Sequence, residues 1–204
     1  MKITKPHYHH GDLACACLDA AIKRIARDGV EKLSLRAVAR DLGVSQTAPY
    51  RHFNDKTHLL TLLAQQGFNL LAEQTKQATM NQQGGLQESM MASGMAYLNF
   101  AKHHPEHYRL MFGERLKRQC DSADLTNTSL SAFSVILEQV TVGVDQGFLV
   151  QEDPKLLART LWSTVHGMAM LMIDGFYSEY SDEELTPFLK TMLTHSVTGI
   201  LAKT

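Results

Sequence analysis

Three kinds of segment are missing from this chain, and each absence excludes a class of protein. No apolar run reaches membrane-spanning length, so we expect no membrane association. The opening MKITKPHYHHGD lacks the apolar core of a secretory signal, and we therefore expect the protein in the cytoplasm. No low-complexity tract occurs, and 44% of residues are apolar, which favours a folded chain over a disordered one.

Cysteine is scarce, and the three cysteines, an odd number without a secretory signal, favour free thiols in a reducing compartment. Cys15 and Cys17 lie close to His9 and His10 in HYHHGDLACAC, which raises the question of a metal site. On a helix the two thiols point about 200° apart, so one ion cannot readily take both. We predict no metal site and a core position for Cys17. The alternative, a metal- or redox-sensing protein that uses Cys15, Cys120 and the histidines, stays open.

Catalytic signatures are missing as well. The sequence shows no His-Glu-x-x-His motif, no phosphate-binding loop and no Ser-His-Asp order. We therefore predict that the protein is not an enzyme, that it has no catalytic residue and that it uses no cofactor. An enzyme built on a helical scaffold remains the alternative from a different class, because residues distant in sequence can meet in space.

Charge is distributed unevenly, although the formal net charge is −1. Residues 1–60 carry ten Lys and Arg against six Asp and Glu, a balance of +4. Residues 61–204 carry ten against fifteen, a balance of −5. A basic N-terminal part on an acidic body indicates contact with a polyanion, although so small a balance is also compatible with ordinary fluctuation.

Apolar residues recur at helical spacing along almost the whole chain, whereas strand signals are scarce. The pattern predicts an all-α fold of about nine helices. Ser34 and Asp153 are suited to cap helix starts, and Pro105 and Pro154 suit first turns. The expected helices cover about residues 12–28, 35–42, 46–53, 55–80, 86–102, 105–112, 124–147, 154–177 and 182–202.

The segment SLRAVARDLGVSQTAPYRHF, residues 34–53, has the layout of a helix-turn-helix. A short helix ends at Gly43, and Ser45 is expected to cap a second short helix whose first residues would face the DNA major groove. Ala39, Val44 and Tyr50 suit the packing of the two helices. Pro49, inside the second helix, removes a backbone donor, so we expect a tight start or a bend there.

The longer stretch LSLRAVARDLGVSQTAPYRHFNDKTHLL resembles the DNA-binding module of tetracycline-repressor-like (TetR family) transcription regulators. The residues that carry the resemblance are Ala39, the Gly-Val-Ser turn, Tyr50, the His-Phe pair and Lys56. YHHGDL, FAKHHPEHYRLMF and WSTVHG further resemble one branch, whose C-terminal domain is named for a Trp-His-Gly (WHG) motif. The resemblance implies a DNA-binding domain over residues 1–56 and a helical ligand-binding and dimerisation domain over residues 57–204.

Residue chemistry supports a DNA interface on this module. Gln46 can bond adenine in bidentate fashion, and the methyl group of Thr47 can touch that of thymine. Arginine, lysine and hydroxyl groups suit the phosphate backbone, which positions a protein without specifying sequence. The alternative is that the serines are only caps and the arginines only solvated surface. The predicted DNA-binding residues are Ser34, Arg36, Ser45, Gln46, Thr47, Tyr50, Arg51, His52 and Lys56.

The C-terminal half is expected to hold an effector pocket and a dimer interface. Residues 154–177 are apolar nearly all round the helix, and residues 182–202 carry one apolar stripe. The family resemblance implies that these two helices pair with their copies in a homodimer, and that the domain encloses a pocket. Its candidate lining residues, which core positions would equally explain, are Met111, Trp162, His166 and Met170.

The expected function is therefore a ligand-responsive regulator, most simply a repressor. Its partners would be a near-palindromic double-stranded DNA operator, a second copy of the chain and a small apolar or amphipathic effector that releases the DNA.

Overall fold

The computed structural model describes residues 10–113 and 123–202, except for the side chains of residues 10–12 and 123–124. Within these residues the all-α prediction is confirmed, and an isolated bridge between Leu149 and Leu201 is the one β-type pairing. Two short 3-10 helices, η1 (Val30–Lys32) and η2 (Ala48–Arg51), accompany the α-helices. The α-helices are α1 (His10–Asp28), α2 (Leu35–Asp41), α3 (Lys56–Met80), α4 (Leu86–His103), α5 (Pro105–Phe112), α6 (Ala123–Asp145), α7 (Pro154–Ile173) and α8 (Asp182–Thr198).

Side-chain caps fix several helix starts, and the caps predicted at Ser34 and Asp153 are confirmed. The Ser34 hydroxyl accepts a hydrogen bond from the Ala37 amide at 3.2 Å, and the Asp153 carboxylate accepts one from the Lys155 amide at 2.9 Å. Ser181 and Glu184 form a reciprocal capping box at the start of α8. Each cap satisfies backbone donors that have no partner within the helix.

Two helices end earlier than the apolar pattern predicts. α7 stops at Ile173 rather than 177, because the chain turns through Gly175, whose φ is +83°. α8 stops at Thr198 rather than 202. The sequence prediction extended both helices because apolar residues continue beyond the last turn. Ile200 is buried there without being helical, whereas Phe176 is 67% exposed.

The chain divides into two compact units. The first comprises the described residues up to Gln66 together with those from Glu106 to Leu125, and the second comprises Gly67–Pro105 and the described residues from Thr126 onward. α3 therefore contributes to both units. A domain boundary at residue 56 stays a prediction, since a compact unit is not by itself an independently folding domain.

The core of the first unit forms where α1 packs on α2, η1 and η2. Cys17 is fully buried on the apolar stripe of α1, as predicted, and burial raises the pKa of its thiol. Cys15 is exposed, so the two thiols lie in different environments. The other buried residues of this core include Ala21, Leu33, Leu35, Val38, Ala39, Phe53, Leu59, Leu60 and Leu63.

In the second unit α4, α7 and α8 pack on one another. α4 and α8 approach closely at Gly94, where an added Cβ would lie 3.1 Å from Leu193 Cδ1. Among the described helices α7 alone has the length and composition to cross a membrane, a test that core helices of soluble proteins also pass. A cluster of buried residues fills this unit: Met90, Val140, Val144, Leu149, Leu157, Ala158, Leu161, Val197 and Ile200.

Candidate nucleic-acid interface

The turn after α2 depends on a glycine in the left-handed region. Gly43 has φ +65°, and its amide donates to the Arg40 carbonyl at 3.1 Å. The Val44 amide donates to the Ala39 carbonyl at 3.0 Å, which completes a Schellman motif. These bonds terminate α2 and set the direction in which the next segment leaves.

The second helix of the motif is a 3-10 helix, η2, rather than the α-helix that the sequence predicts. Pro49 has no N–H to donate to the Ser45 carbonyl, so the Ala48 amide takes that carbonyl at 3.0 Å and tightens the turn. The predicted Ser45 cap is wrong: the residue at the N-cap position is Thr47, without a side-chain cap. The Ser45 and Thr47 hydroxyls lie 3.3 Å apart and bond each other.

Pro49, rather than Tyr50, is the residue of η2 that fills the core. Pro49 is fully buried among the residues of α1 and α2, whereas Tyr50 is 49% exposed. Tyr50 therefore does not pack the two helices together, and its ring is available to a partner. The expected tightening at Pro49 is present as the 3-10 geometry of η2.

Most of the predicted contact residues are exposed on this unit. Ser34 and Arg36 lie at the start of α2, and the exposed Gln46 lies in the turn before η2. The structure thus brings hydroxyl, amide, phenol and guanidinium groups onto one short stretch above a buried apolar base. The remaining exposed members of the predicted set are Ser45, Thr47, Tyr50 and Arg51.

His52 and Lys56 lie differently from the other predicted contacts. His52 is half-buried edge-on against Phe53, and its Nε2 is buried without a hydrogen-bond partner among the described residues. Lys56 Nζ donates to the Glu31 carbonyl at 3.0 Å, which ties the start of α3 to η1. The Asp55 carboxylate accepts from the His58 amide at 2.8 Å and thereby caps α3. His52 and Lys56 are thus both engaged in contacts within the unit.

An ion-pair network that sequence inspection missed joins α1 to α2. Arg24 donates in bidentate fashion to Asp41, with bonds of 2.8 and 2.7 Å, and also reaches Asp28 at 3.1 Å. The bond from Arg24 lowers the pKa of Asp41 below its usual value. Arg27 pairs with Asp28 at 2.9 Å and lowers the pKa of that carboxyl. The network fixes the angle between the two helices at the rim of the unit.

Three of the four candidate effector-pocket residues lie together in the second unit. Trp162 stacks on His166, with ring centroids 5.5 Å apart, and His166 Nδ1 lies 3.4 Å from the Tyr97 hydroxyl. Trp162, His166 and Met170 are half-buried on α7. Met111 is buried in the first unit. Tyr97 was not predicted, because nothing in the sequence connects α4 with the Trp-His pair.

The described ranges contain no set of three or more His, Cys, Asp or Glu side chains placed to hold a metal ion. His9 and Cys120, which the metal- or redox-sensing alternative invokes, lie outside the described residues, as does the side chain of His10.

A short helix, a glycine turn and a second short helix with an exposed polar face, packed on a first helix, define a helix-turn-helix DNA-binding protein. Two family models match the chain: bacterial regulatory proteins of the tetR family at residues 18–63, and the tetracycline repressor-like C-terminal domain at residues 90–195. The chain belongs to the TetR family of transcriptional regulators. Assignment to the Trp-His-Gly branch stays a prediction.

Relatives extend over most of the chain. An uncharacterised HTH-type transcriptional regulator of Bacillus subtilis (strain 168), YobS, is 22% identical over 179 residues, covering 87% of this chain and 88% of that protein. The HTH-type regulator SAB2452 of Staphylococcus aureus (strain bovine RF122 / ET3-1) is 36% identical over 59 residues, which cover 29% of this chain and 32% of that protein. A Rhodococcus sp. RHA1 structure of unknown function has a TM-score of 0.85 at 28% identity, over 96% of this chain and 99% of that one.

Proposed function

We propose that this regulator is a repressor without enzymatic activity, working in the cytoplasm, that binds a near-palindromic operator as a homodimer. A small apolar or amphipathic effector releases it from the DNA. The observation that carries the DNA-binding part is the exposure of Gln46, Thr47, Tyr50 and Arg51 above the buried Pro49. Polar groups held on so short and well-packed an element are suited to the major groove.

The contact residues divide into two roles in this proposal. Gln46 and Thr47 precede η2 and read base edges, since an amide and a methyl group match adenine and thymine. The exposed residues Ser34, Arg36, Ser45, Tyr50 and Arg51 hold the phosphate backbone. His52 and Lys56, which the sequence analysis placed at the DNA, support the reading element through Phe53 and the Glu31 carbonyl.

Dimerisation is proposed through α7 and α8. The outer face of α7 carries two exposed leucines, Leu156 at 54% and Leu171 at 42%. Between them lie Thr160, Ser163 and Gly167, spaced at three- and four-residue steps. An added Cβ at Gly167 would meet no atom of the described residues within 4 Å, so another backbone can approach closely there. These five residues form an uncharged stripe, which a helix of a second copy fits.

The effector is proposed to bind in the second unit beside the Trp162–His166 stack. Half-buried aromatic and methionine side chains there are typical of small-molecule sites. The effector releases DNA by binding the non-DNA-binding arrangement of the dimer more tightly than the DNA-binding one.

The first experiment is capture of genomic DNA fragments from the host lysate by the purified full-length protein, followed by sequencing. A few sharp palindromic sites are expected. Tyr50→Ala and Arg51→Ala should lose enrichment, because both side chains are exposed on η2. Lys76→Ala, which removes an exposed positive charge from the part of α3 in the other unit, is the matched control and should retain it.

Lys56→Ala is a poor probe of DNA contact, because its bond to Glu31 also holds the unit together. Enrichment that survives in both η2 variants would show that the protein binds DNA through another surface. Absence of enriched sites for the wild-type protein, with and without host extract as a source of effector, would overturn the proposal.

A further inference from the structure

Gln139 on α6 carries a buried hydrogen-bonding atom that no described residue pairs. The residue is 8% exposed, and its Oε1 has no hydrogen-bond partner among the described residues. A buried amide oxygen without a donor loses the bonds that water gives it in the unfolded chain. Buried polar atoms in native proteins are almost always paired, so this oxygen is a candidate acceptor for a bound molecule.

Neighbouring hydroxyl groups fix the orientation of this amide. Gln139 Nε2 donates to Thr79 Oγ1 at 3.2 Å and to Ser89 Oγ at 3.1 Å. The Thr79 hydroxyl already donates its single proton to the Thr75 carbonyl at 3.0 Å, so it can only accept from Gln139. If the amide were turned so that Oε1 took the place of Nε2, Gln139 Oε1 and Thr79 Oγ1 would face each other as two acceptors without a proton between them. The unpaired atom is therefore the oxygen, and it is held in place by α3 and α4.

Apolar and aromatic side chains precede Gln139 on α6. Ile136, one turn earlier, lies beside Gln139, and Phe133, a further turn back, lies about 120° round the helix from Gln139. Both are partly buried against the core of the second unit. Phe133 meets Trp162 edge-on at 6.1 Å, and Trp162 stacks on His166. A single fixed acceptor beside half-buried apolar surface is the composition of a small-molecule site.

We propose that Gln139 Oε1 accepts a hydrogen bond from the effector, and that the effector is a neutral amphiphile bearing a hydroxyl or amide N–H. The inference rests on the proposed function, because it specifies the effector of that regulator. An ionised carboxylate has no proton to donate and would place oxygen against oxygen. A cation would be buried without a countercharge, since the buried described residues include no Asp or Glu.

The test is calorimetric titration of the full-length protein with 1-octanol, octanoate and 1-methoxyoctane, which share an alkyl chain and differ in the donor. The wild-type protein should bind 1-octanol about tenfold more tightly than either of the others, the difference expected when a buried acceptor is left unpaired. Gln139→Met, which removes the amide at similar size, should bind 1-octanol and 1-methoxyoctane equally. Gln77→Met, the same change at an exposed position of α3, should keep the preference.

Three results would overturn the inference: equal binding of the alcohol and its ether by the wild-type protein, no binding of 1-octanol, or a preference that survives in Gln139→Met. Circular dichroism shows whether Gln139→Met folds. If it does not, the difference between 1-octanol and 1-methoxyoctane binding by the wild-type protein decides the question. Operator binding is measured in parallel. Its absence would overturn the proposed function, whereas intact operator binding without an alcohol preference would overturn this inference alone.

Discussion

At the scale of single residues, Gly43 controls where the reading segment begins. Its φ of +65° lies in the left-handed region, and an added Cβ would meet no neighbouring atom within 4 Å. Gly43→Ala would therefore be unfavourable because alanine has to adopt the left-handed backbone conformation, and not because of a steric clash with a neighbour. We expect the substitution to lower the free energy of unfolding by about 1–2 kcal/mol. Denaturant titration measures this loss. Ser45→Ala, two residues on, should stay within about 0.5 kcal/mol, and equal losses in both variants would contradict the argument.

Gln46 and Arg51 should affect operator binding in different ways. Gln46→Ala should cost about 1–3 kcal/mol on the best site and relax specificity at one base pair. Arg51→Ala should weaken binding to all sequences alike and reduce the slope of log affinity against log salt by about 1. Titrations on the captured site and on single-base variants, at several salt concentrations, separate the two. Identical profiles for the two variants would contradict the assigned roles.

Most of the contact residues that sequence reasoning named are exposed, because their identities matched a recognisable pattern. The packing role also suggested for Tyr50 is wrong, since Tyr50 is exposed while its neighbour Pro49 fills the core. The bond from Lys56 to the Glu31 carbonyl was not foreseen, because it joins residues 25 positions apart. Such choices depend on which side chain fits a finished core, and periodicity alone does not contain that information.

At the scale of elements, the bidentate bond between Arg24 and Asp41 fixes α1 against α2. Asp41→Asn should lower the free energy of unfolding by about 1 kcal/mol, the value of a partly exposed ion pair of good geometry. Because Arg24 also pairs with Asp28, the coupling is measured by a double-mutant cycle with Arg24→Gln. A coupling energy near zero would show that the Arg24–Asp41 ion pair does not contribute to the free energy of unfolding.

The same pair predicts a pH dependence. Arg24 lowers the pKa of Asp41 in the folded protein, so the unfolded chain takes up the proton more readily. The stabilising contribution is complete above the ordinary carboxyl pKa of about 4 and is lost as the pH falls through the lowered value. The difference between wild type and Asp41→Asn should therefore be constant near neutrality and shrink in acid. A difference that grows on acidification would contradict this sign.

Helix starts were more predictable than helix ends or helix type. The caps at Ser34 and Asp153 can be predicted from sequence, because each side chain accepts a hydrogen bond from a backbone amide only two or three residues later. Pro49 predicted a tight start or a bend but did not determine that η2 is a 3-10 helix, since a proline near a helix start is compatible with both α-helical and 3-10 geometry. The Arg24–Asp41 pair spans two helices and left no local signal.

At the scale of the whole molecule, the proposed homodimer should depend on the outer face of α7. Leu171→Asp places a charge on a residue that is exposed in the single chain, so the monomer should still fold. In the dimer that charge would be buried without a partner. We expect a monomer by light scattering and operator affinity lowered by about a hundredfold through loss of the second half-site. Leu130→Asp, at an exposed leucine of α6, is the control that should remain dimeric. A Leu171→Asp dimer would refute the interface.

The set of helices that forms the first unit has a consequence for protein engineering. α5 belongs to the same unit as the helix-turn-helix, and His107 Nε2 lies 3.4 Å from Gln66 Oε1 on α3. A chimera that transplants residues 1–66 onto the body of another regulator would leave this contact behind and expose the surface that α5 covers. A transfer of this DNA-binding segment to another regulator would therefore have to carry α5 with it, or redesign the face of α3 that α5 contacts.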